Sequence, residues 1–266
     1  SNKSYKSIKQ INQINGISIV KETPEHIVIK IGSGEIWHNV VKWSIKNKLW
    51  GIENLILIPG TAGAAPIQNI GAYGVEIKDV LLNVTGFDLL TGEKKVFNNH
   101  ECEFEYRNSI FKKKLKNNFF ITELKIILQK NGKPNLNYES LKVLAKKEKK
   151  EISLKKIGFL VSKIRKSKLP DPIEIGNAGS FFKNPIINTN QLKKIKRKYP
   201  DVKYFKYKNK IKISAGWMIE KCGWKEKVQK NCGVYTKQAL VLINFGKATG
   251  LEIKALANKI NNDINT

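Results

Sequence analysis

With 266 residues and a hydrophobic fraction of 41%, the chain can build one large domain or two ordinary ones and is too apolar for wholesale disorder. Its longest apolar runs, such as Leu240 to Ile243, are too short to span a bilayer, and no basic segment followed by an apolar one opens the chain as a secretory signal. The net charge of +27 is almost all lysine, with arginine only at Arg107, Arg165 and Arg197, so compositional drift toward Lys, Asn and Ile explains it better than base readout, which favours arginine.

In chain order, Ile17 to Val20 and His26 to Ile31 alternate or run β-branched, which predicts strands. Gly32-Ser33-Gly34 breaks that pattern. Ile36, Val40, Val41 and Ile45 then recur at helical spacing and predict an amphipathic helix to about Lys48. Val80 to Asp88 and Lys94 to Phe97 flank Thr91-Gly92, a hairpin signal, and Phe119 to Leu128 is a further strand. Two Lys-rich helices follow, about Glu139 to Lys150 and Leu154 to Lys168. Pro170 and Pro172 mark a candidate domain junction. Helices near Asn190 to Lys198 and Ala215 to Lys221, a strand over Ala239 to Ile243 and a helix over about Leu251 to Ile260 complete the chain. Cys102, Cys222 and Cys232 lack CxxC spacing and are expected as free thiols. With His26, His38 and His100 scattered as well, no metal site is expected.

Three segments carry chemistry. Residues 58–74 read Ile-Pro-Gly-Thr-Ala-Gly-Ala-Ala-Pro-Ile-Gln-Asn-Ile-Gly-Ala-Tyr-Gly and hold no charge, in a chain with 27% charged residues. Glycines there allow backbone amides to approach an anion, though a tight loop packed between sheets explains the composition equally well. The segment is neither a P-loop nor a Rossmann fingerprint. Residues 105–112 read Glu-Tyr-Arg-Asn-Ser-Ile-Phe-Lys. Arg107 offers a planar fork for a carboxylate, but taken alone a surface pairing with Glu103 or Glu105 is the favoured expectation. Residues 176–185 read Gly-Asn-Ala-Gly-Ser-Phe-Phe-Lys-Asn-Pro. A serine hydroxyl such as that of Ser180 is a poor acid and protonates only a strongly basic centre placed against it; otherwise it belongs to a turn or cap.

Together these segments resemble the UDP-N-acetylenolpyruvoylglucosamine reductases: the uncharged loop their flavin loop, Tyr106-Arg107-Asn108-Ser109 a Tyr-Arg-x-Ser motif, and Ala178 to Pro185 an Ala-Gly-Ser-x-Phe-Lys-Asn-Pro motif. The resemblance implies an α+β fold. An FAD-binding domain of the p-cresol methylhydroxylase/vanillyl-alcohol oxidase type would span residues 1–169, and a smaller α/β substrate-binding domain residues 170–266. It implies FAD contacts from Ser1, Asn2, Pro59, Gly60, Thr61, Ala62, Gly63, Ala64, Ala65, Gln68, Asn69, Gly71, Ala72 and Tyr73. Substrate contacts would come from Tyr138, Lys168, Asn184, Lys225 and Gln238, with Tyr138 pointing to the family's first subtype. Ser214 to Glu220 resembles a family helix start whose N-terminus would receive the UDP diphosphate. The implied reaction passes hydride from NADPH through FAD to the vinyl carbon of UDP-N-acetylglucosamine enolpyruvate. Arg107 would stabilise charge on the carboxylate and Ser180 would protonate the other carbon, giving UDP-N-acetylmuramate. The setting is cytoplasmic peptidoglycan precursor synthesis by a monomer, with no nucleic-acid, membrane or metal partner.

The match is incomplete at the ends. Ser1-Asn2 corresponds to the last letters of a family Gly-x-Gly-Ser-Asn motif, and no Pro-Glu-Val segment with its catalytic glutamate occurs. The polypeptide is therefore expected to bind FAD poorly and to turn over slowly or not at all. The alternatives are a catalytically impaired remnant of such an enzyme and, from another class, a basic nucleic-acid-binding protein.

Overall fold

The computed structural model describes residues 11–148 and 151–265, and the chain divides into two compact units between Arg165 and Lys166. The first unit is built on an antiparallel five-stranded sheet. Its elements are β1 (Ile17–Glu22), β2 (His26–Gly32), α1 (Trp37–Lys46), the two-residue pair β3 (Gly71–Ala72) and β4 (Val75–Glu76), β5 (Leu81–Asp88), β6 (Lys94–Asn98), β7 (Phe119–Gln129), α2 (Glu139–Ala145) and α3 (Leu154–Lys168). The sheet order is β1-β2-β7-β5-β6, with β7 central. Alternation in β7 puts Leu124, Ile126 and Leu128 into the core, as the period of two requires, and a register shift opposite β5 lets Ile121 join them. In the β5–β6 hairpin the Asp88 carboxylate accepts the amides of Leu90 and Thr91, and Gly92 takes the left-handed conformation (φ 74°).

The helix stripe is rotated from the expected one. In α1 the buried residues are Trp37, Val40, Val41 and Ser44, while Ile36 is the exposed N-cap. Trp37 wins the core position because it buries more apolar area, and its indole Nε1 donates to the Leu55 carbonyl at 3.2 Å. Helix α2 ends at Ala145, short of the expected Lys150; Lys149 and Lys150 lie outside the described residues. Continuing it would stack like charges a turn apart, and Glu148 instead meets Lys156 of α3 at 2.9 Å. Leu141 and Ala145 of α2 join Ile157, Leu160, Val161 and Ile164 of α3 in the sheet core.

The second unit contains β8 (Gly176–Ser180), β9 (Ile186–Ile187), α4 (Thr189–Lys198), β10 (Tyr204–Tyr207), β11 (Lys210–Ile213), α5 (Ala215–Lys221), β12 (Val228–Gln229), β13 (Cys232–Val234), β14 (Val241–Asn244) and α6 (Gly250–Asn265). They form a four-stranded sheet, β12-β13-β14-β8, and a three-stranded one, β10-β11-β9. Helix α6 opens on a capping box: Thr249 Oγ1 accepts the Glu252 amide and Glu252 Oε2 accepts the Thr249 amide. It runs past the expected Ile260 because Ile264 still packs on the core and Asp263 accepts the Trp224 indole N–H at 2.9 Å. All three cysteines are free, and burial pushes the Cys102 thiol up to about 12, which leaves it inert. No described helix is long and apolar enough to cross a membrane.

Candidate active site

In the first unit the uncharged loop, residues 58–74, is held from three sides. The β2–α1 turn takes one: the Ala62 amide donates to Glu35 O at 2.7 Å, the Gly63 amide to Ser33 O at 2.9 Å, and Gly60 O accepts the Trp37 amide that starts α1. The Arg107 segment takes the second. Ser109, fully buried, donates its hydroxyl to Ile67 O at 2.7 Å. Asn69, also buried, donates to Glu76 Oε2 and Glu105 O and accepts the Lys78 amide. The third side is Asn54, whose Nδ2 donates to Tyr73 O at 2.7 Å.

Arg107 is not the surface arginine its sequence neighbours suggest. Glu105 pairs with Lys113 and Glu103 with Lys114. The Arg107 guanidinium reaches back to the loop, donating to the carbonyls of Asn69 and Gly71, with Glu76 3.6 Å away. A Cβ on Gly71 would stand 2.9 Å from Nη1, so only glycine lets the guanidinium lie this close. Three non-glycine residues adopt left-handed backbone here, Asn69 (φ 46°), Tyr73 (φ 50°) and Arg107 (φ 55°). Asn tolerates that region; Tyr and Arg do so at a cost that the surrounding hydrogen bonds must offset.

Tyr73 meets Tyr138 edge to face, ring centroids 5.0 Å apart, and burial pushes the Tyr73 hydroxyl up to about 12. Arg165, a residue the sequence reading passed over, interacts electrostatically with Tyr73. Its Nη2 donates to Leu57 O, burial lowers its pKa, and its buried Nε has no partner among the described residues. Nothing local in the sequence distinguishes Arg165 from the lysines around it.

The loop also departs from an open anion nest. The amides of Ala62, Gly63, Ala64, Ala65 and Asn69 all bond protein carbonyls, and the Ala62, Ala65 and Asn69 side chains are buried. Those residues can meet a ligand only through what their backbone leaves free. Unspent among the described residues are, among others, the amides of Gly60, Thr61, Ile67 and Gln68 and the Gln68 side chain. The exposed loop residues, Pro59, Gly60, Ala64, Gln68 and Gly74, are uncharged. Neutral surface, free backbone donors and two guanidinium groups nearby fit a flat, largely apolar ring system with an anionic tail, which FAD is. Thr61, Ala72 and Tyr73 are half-buried along the same loop. Ser1 and Asn2 lie outside the described residues.

In the second unit Ser180 ends β8 opposite Val241, and its exposed hydroxyl has no partner among the described residues. The Phe181 amide donates to Leu240 O at 2.7 Å, which brings Ser180 beside Gln238 to Val241. Gln238 Oε1 lies 3.6 Å from where a Gly216 Cβ would stand, and Asn184 Oδ1 accepts the Ala215 amide. Ser180, Asn184 and Gln238 thus gather at one end of the four-stranded sheet. The expected diphosphate site at the start of α5 is corrected: its Ala215 and Trp217 amides are taken by Asn184 and Ser214, and the helix has seven residues. Lys225 is 3.6 Å from Glu220, and Lys168 is half-buried with no described partner.

Residues 9–98 match the family described as FAD binding domain, so the uncharged loop and four of the five sheet strands lie in a flavin-binding α+β protein. Residues 171–266 match the UDP-N-acetylenolpyruvoylglucosamine reductase C-terminal domain. Over 251 residues the chain is 43% identical to the UDP-N-acetylenolpyruvoylglucosamine reductase of Bdellovibrio bacteriovorus, covering 94% of this chain and 75% of that one. It is 46% identical over 245 residues to the protein of that name from Photorhabdus laumondii, covering 92% and 71%. The chain belongs to the UDP-N-acetylenolpyruvoylglucosamine reductase family. Its fold is similar to that of the enzyme from Thermus caldophilus, with a TM-score of 0.61 at 21% identity over 88% of this chain and 68% of that one.

Proposed function

We propose that Arg107 and Ser180 supply charge stabilisation and the proton for the family reaction on this chain. That reaction is the NADPH-dependent reduction of UDP-N-acetylglucosamine enolpyruvate to UDP-N-acetylmuramate, a step of peptidoglycan precursor synthesis, and the chain is an FAD-dependent oxidoreductase. When bound, FAD carries hydride from NADPH to the substrate's vinyl carbon. Gly60, Ile67 and Gln68 would offer it backbone donors, and Arg107 and Arg165 positive charge.

The observation that carries this reading is the tethering of Arg107 to the loop. With Gly71 and Asn69 carbonyls holding part of its fork, the guanidinium is fixed in place while its remaining N–H groups stay available for the substrate carboxylate. As hydride arrives, negative charge builds on that carboxylate, and a pre-oriented guanidinium stabilises it without reorganisation. The Ser180 hydroxyl, not committed to another acceptor, gives its proton to the carbon next to the carboxylate. Tyr138, Lys168, Asn184, Lys225 and Gln238 are assigned to holding the UDP-sugar, and Asn69 to shaping the loop. Residues 1–169 form the FAD-binding domain, which also lends Arg107, Tyr138 and Lys168 to the substrate, and residues 170–266 the substrate-binding domain. We place the chain in the cytoplasm, a reading its three free thiols support, and assign it as a monomer.

The test is Ser180→Ala in FAD-loaded protein. Turnover should fall by about 10²- to 10⁴-fold, while bleaching of the flavin by NADPH keeps its parent rate. Turnover within about threefold of parent would remove Ser180 from the mechanism.

A further inference from the structure

We propose that Asn54 and Asn135 form a polar clamp that fixes the segment carrying Tyr138 to the flavin loop, and so act as positioning residues for binding the enolpyruvyl sugar. The proposal rests on the assignment of Tyr138 as a substrate contact.

In the segment between β7 and α2, residues 130–138, Leu136 packs on the core and Gly132 lies against Trp50, but the stretch around Asn135 borders open space. Asn131, Gly132, Lys133 and Asn135 line a cavity of about 570 Å³, together with Trp50, Glu53 and Gln129. Hydrogen bonds do the holding instead. Asn54 Nδ2 bridges two segments, donating to Tyr73 O at 2.7 Å and to Asn135 O at 3.0 Å. Asn135 Nδ2 donates to Gly74 O at 3.1 Å, and its Oδ1 accepts the Asn137 amide at 3.1 Å, closing a turn that leads into Tyr138. Gly74 has φ 86°, and a Cβ there would stand 3.0 Å from Asn135 Oδ1. The clamp therefore fastens both sides of the Tyr73–Tyr138 ring contact.

Asn54 is fully buried between Ile52 and Leu55 of the core, and its Oδ1 has no partner among the described residues. The orphaned acceptor of this buried amide costs stability that its two donated bonds must offset. What the amide supplies is two donors aimed at two different segments. Being buried, Asn54 does not touch substrate; its influence passes through Asn135 and Tyr138.

FAD-loaded Asn54→Ala, Asn135→Ala, Tyr138→Ala and the Asn54→Ala/Tyr138→Ala double variant test this. Asn135 is half-buried, so its variant covers the case in which Asn54→Ala does not fold. The clamp predicts that each Asn variant raises KM for the UDP-sugar by about tenfold, and that in Asn135→Ala the rate of flavin bleaching by NADPH stays within about twofold of parent. It also predicts that the double variant is no worse than Tyr138→Ala. A general loss of structure would lower both half-reactions together. As an independent readout, amide exchange in residues 135–138 of the FAD-free protein should quicken in Asn54→Ala without change in β7. If Tyr138→Ala raises KM but Asn135→Ala does not, or if the double variant is additive, the clamp is overturned and the role of Tyr138 stands. If Tyr138→Ala leaves KM unchanged, the assignment of Tyr138 fails and the clamp falls with it.

Discussion

Ser109→Ala tests whether the arginine motif and the flavin loop are one structural piece. Ser109 is fully buried and its hydroxyl donates to Ile67 O at 2.7 Å. Alanine keeps the backbone and most of the volume but leaves that carbonyl without a donor. A fully buried acceptor so orphaned costs about 1–3 kcal/mol. Ile67 is half-buried and water can reach part of the gap, so the lower part of that range applies, about 1–2 kcal/mol. In a unit of this size each kcal/mol moves the melting point by about 2–4 °C, giving an expected fall of about 2–8 °C. Ser162→Ala is the matched control. Its hydroxyl bonds Gly158 O one turn back in α3, at 2.8 Å, a local bond that helices lose at little cost. Thermal melts of the three proteins followed by circular dichroism decide the matter. Should Ser109→Ala melt with the control, the link between the two motifs carries no energy and the anchoring argument for Arg107 is wrong. A flavin titration should show weaker FAD binding by Ser109→Ala in parallel.

Glu53 gives a pH prediction. Burial raises its pKa against the opposing amide bonds, the first of them from Gly51, so the folded state holds this proton more tightly than the unfolded chain. Stability therefore declines as pH rises from the ordinary glutamate value through the raised folded value. Glu53→Gln should melt higher than parent at neutral pH, with the gap closing as pH falls toward 4.5; a gap constant with pH would refute the assignment. Arg165→Met keeps the length and removes a desolvated cation with an unpartnered Nε, so stability should change by no more than about 1 kcal/mol. FAD affinity, read by quenching of flavin fluorescence, should nonetheless drop. A melting point lowered by more than about 8 °C would make Arg165 a structural residue instead.

Long strands and helices with strong periodicity could be read from sequence: β2, β7, the β5–β6 hairpin, α3 and α4 all lie within a residue or two of expectation. The elements that escaped are those made by tertiary pairing. Gly-Asn-Ala-Gly-Ser has no β propensity, yet it forms β8 because β14 offers a ladder. The hairpin of β10 and β11 was hidden in a lysine run whose alternation only Ile211 and Ile213 betray. The motifs singled out Arg107 and Ser180 as candidates, but the partners of Arg107 could not be read, because Asn69 and Gly71 are more than thirty residues away in sequence. Asn54 and Arg165 carry no local mark, and Ser109 stands in the arginine motif without its partner showing. Their significance lies in burial and in which carbonyl each one reaches.

The position of β7 has a consequence for how the chain is made. β2 pairs along its whole length with β7, His26 standing opposite Gln129, roughly one hundred residues apart. During synthesis from the N-terminus the sheet stays open until that strand has left the ribosome, and everything between the two waits as an unclosed excursion. The uncharged loop lies inside that excursion. A chain arrested before Gln129 would leave that loop without its sheet and expose the apolar edge of β2 to aggregation.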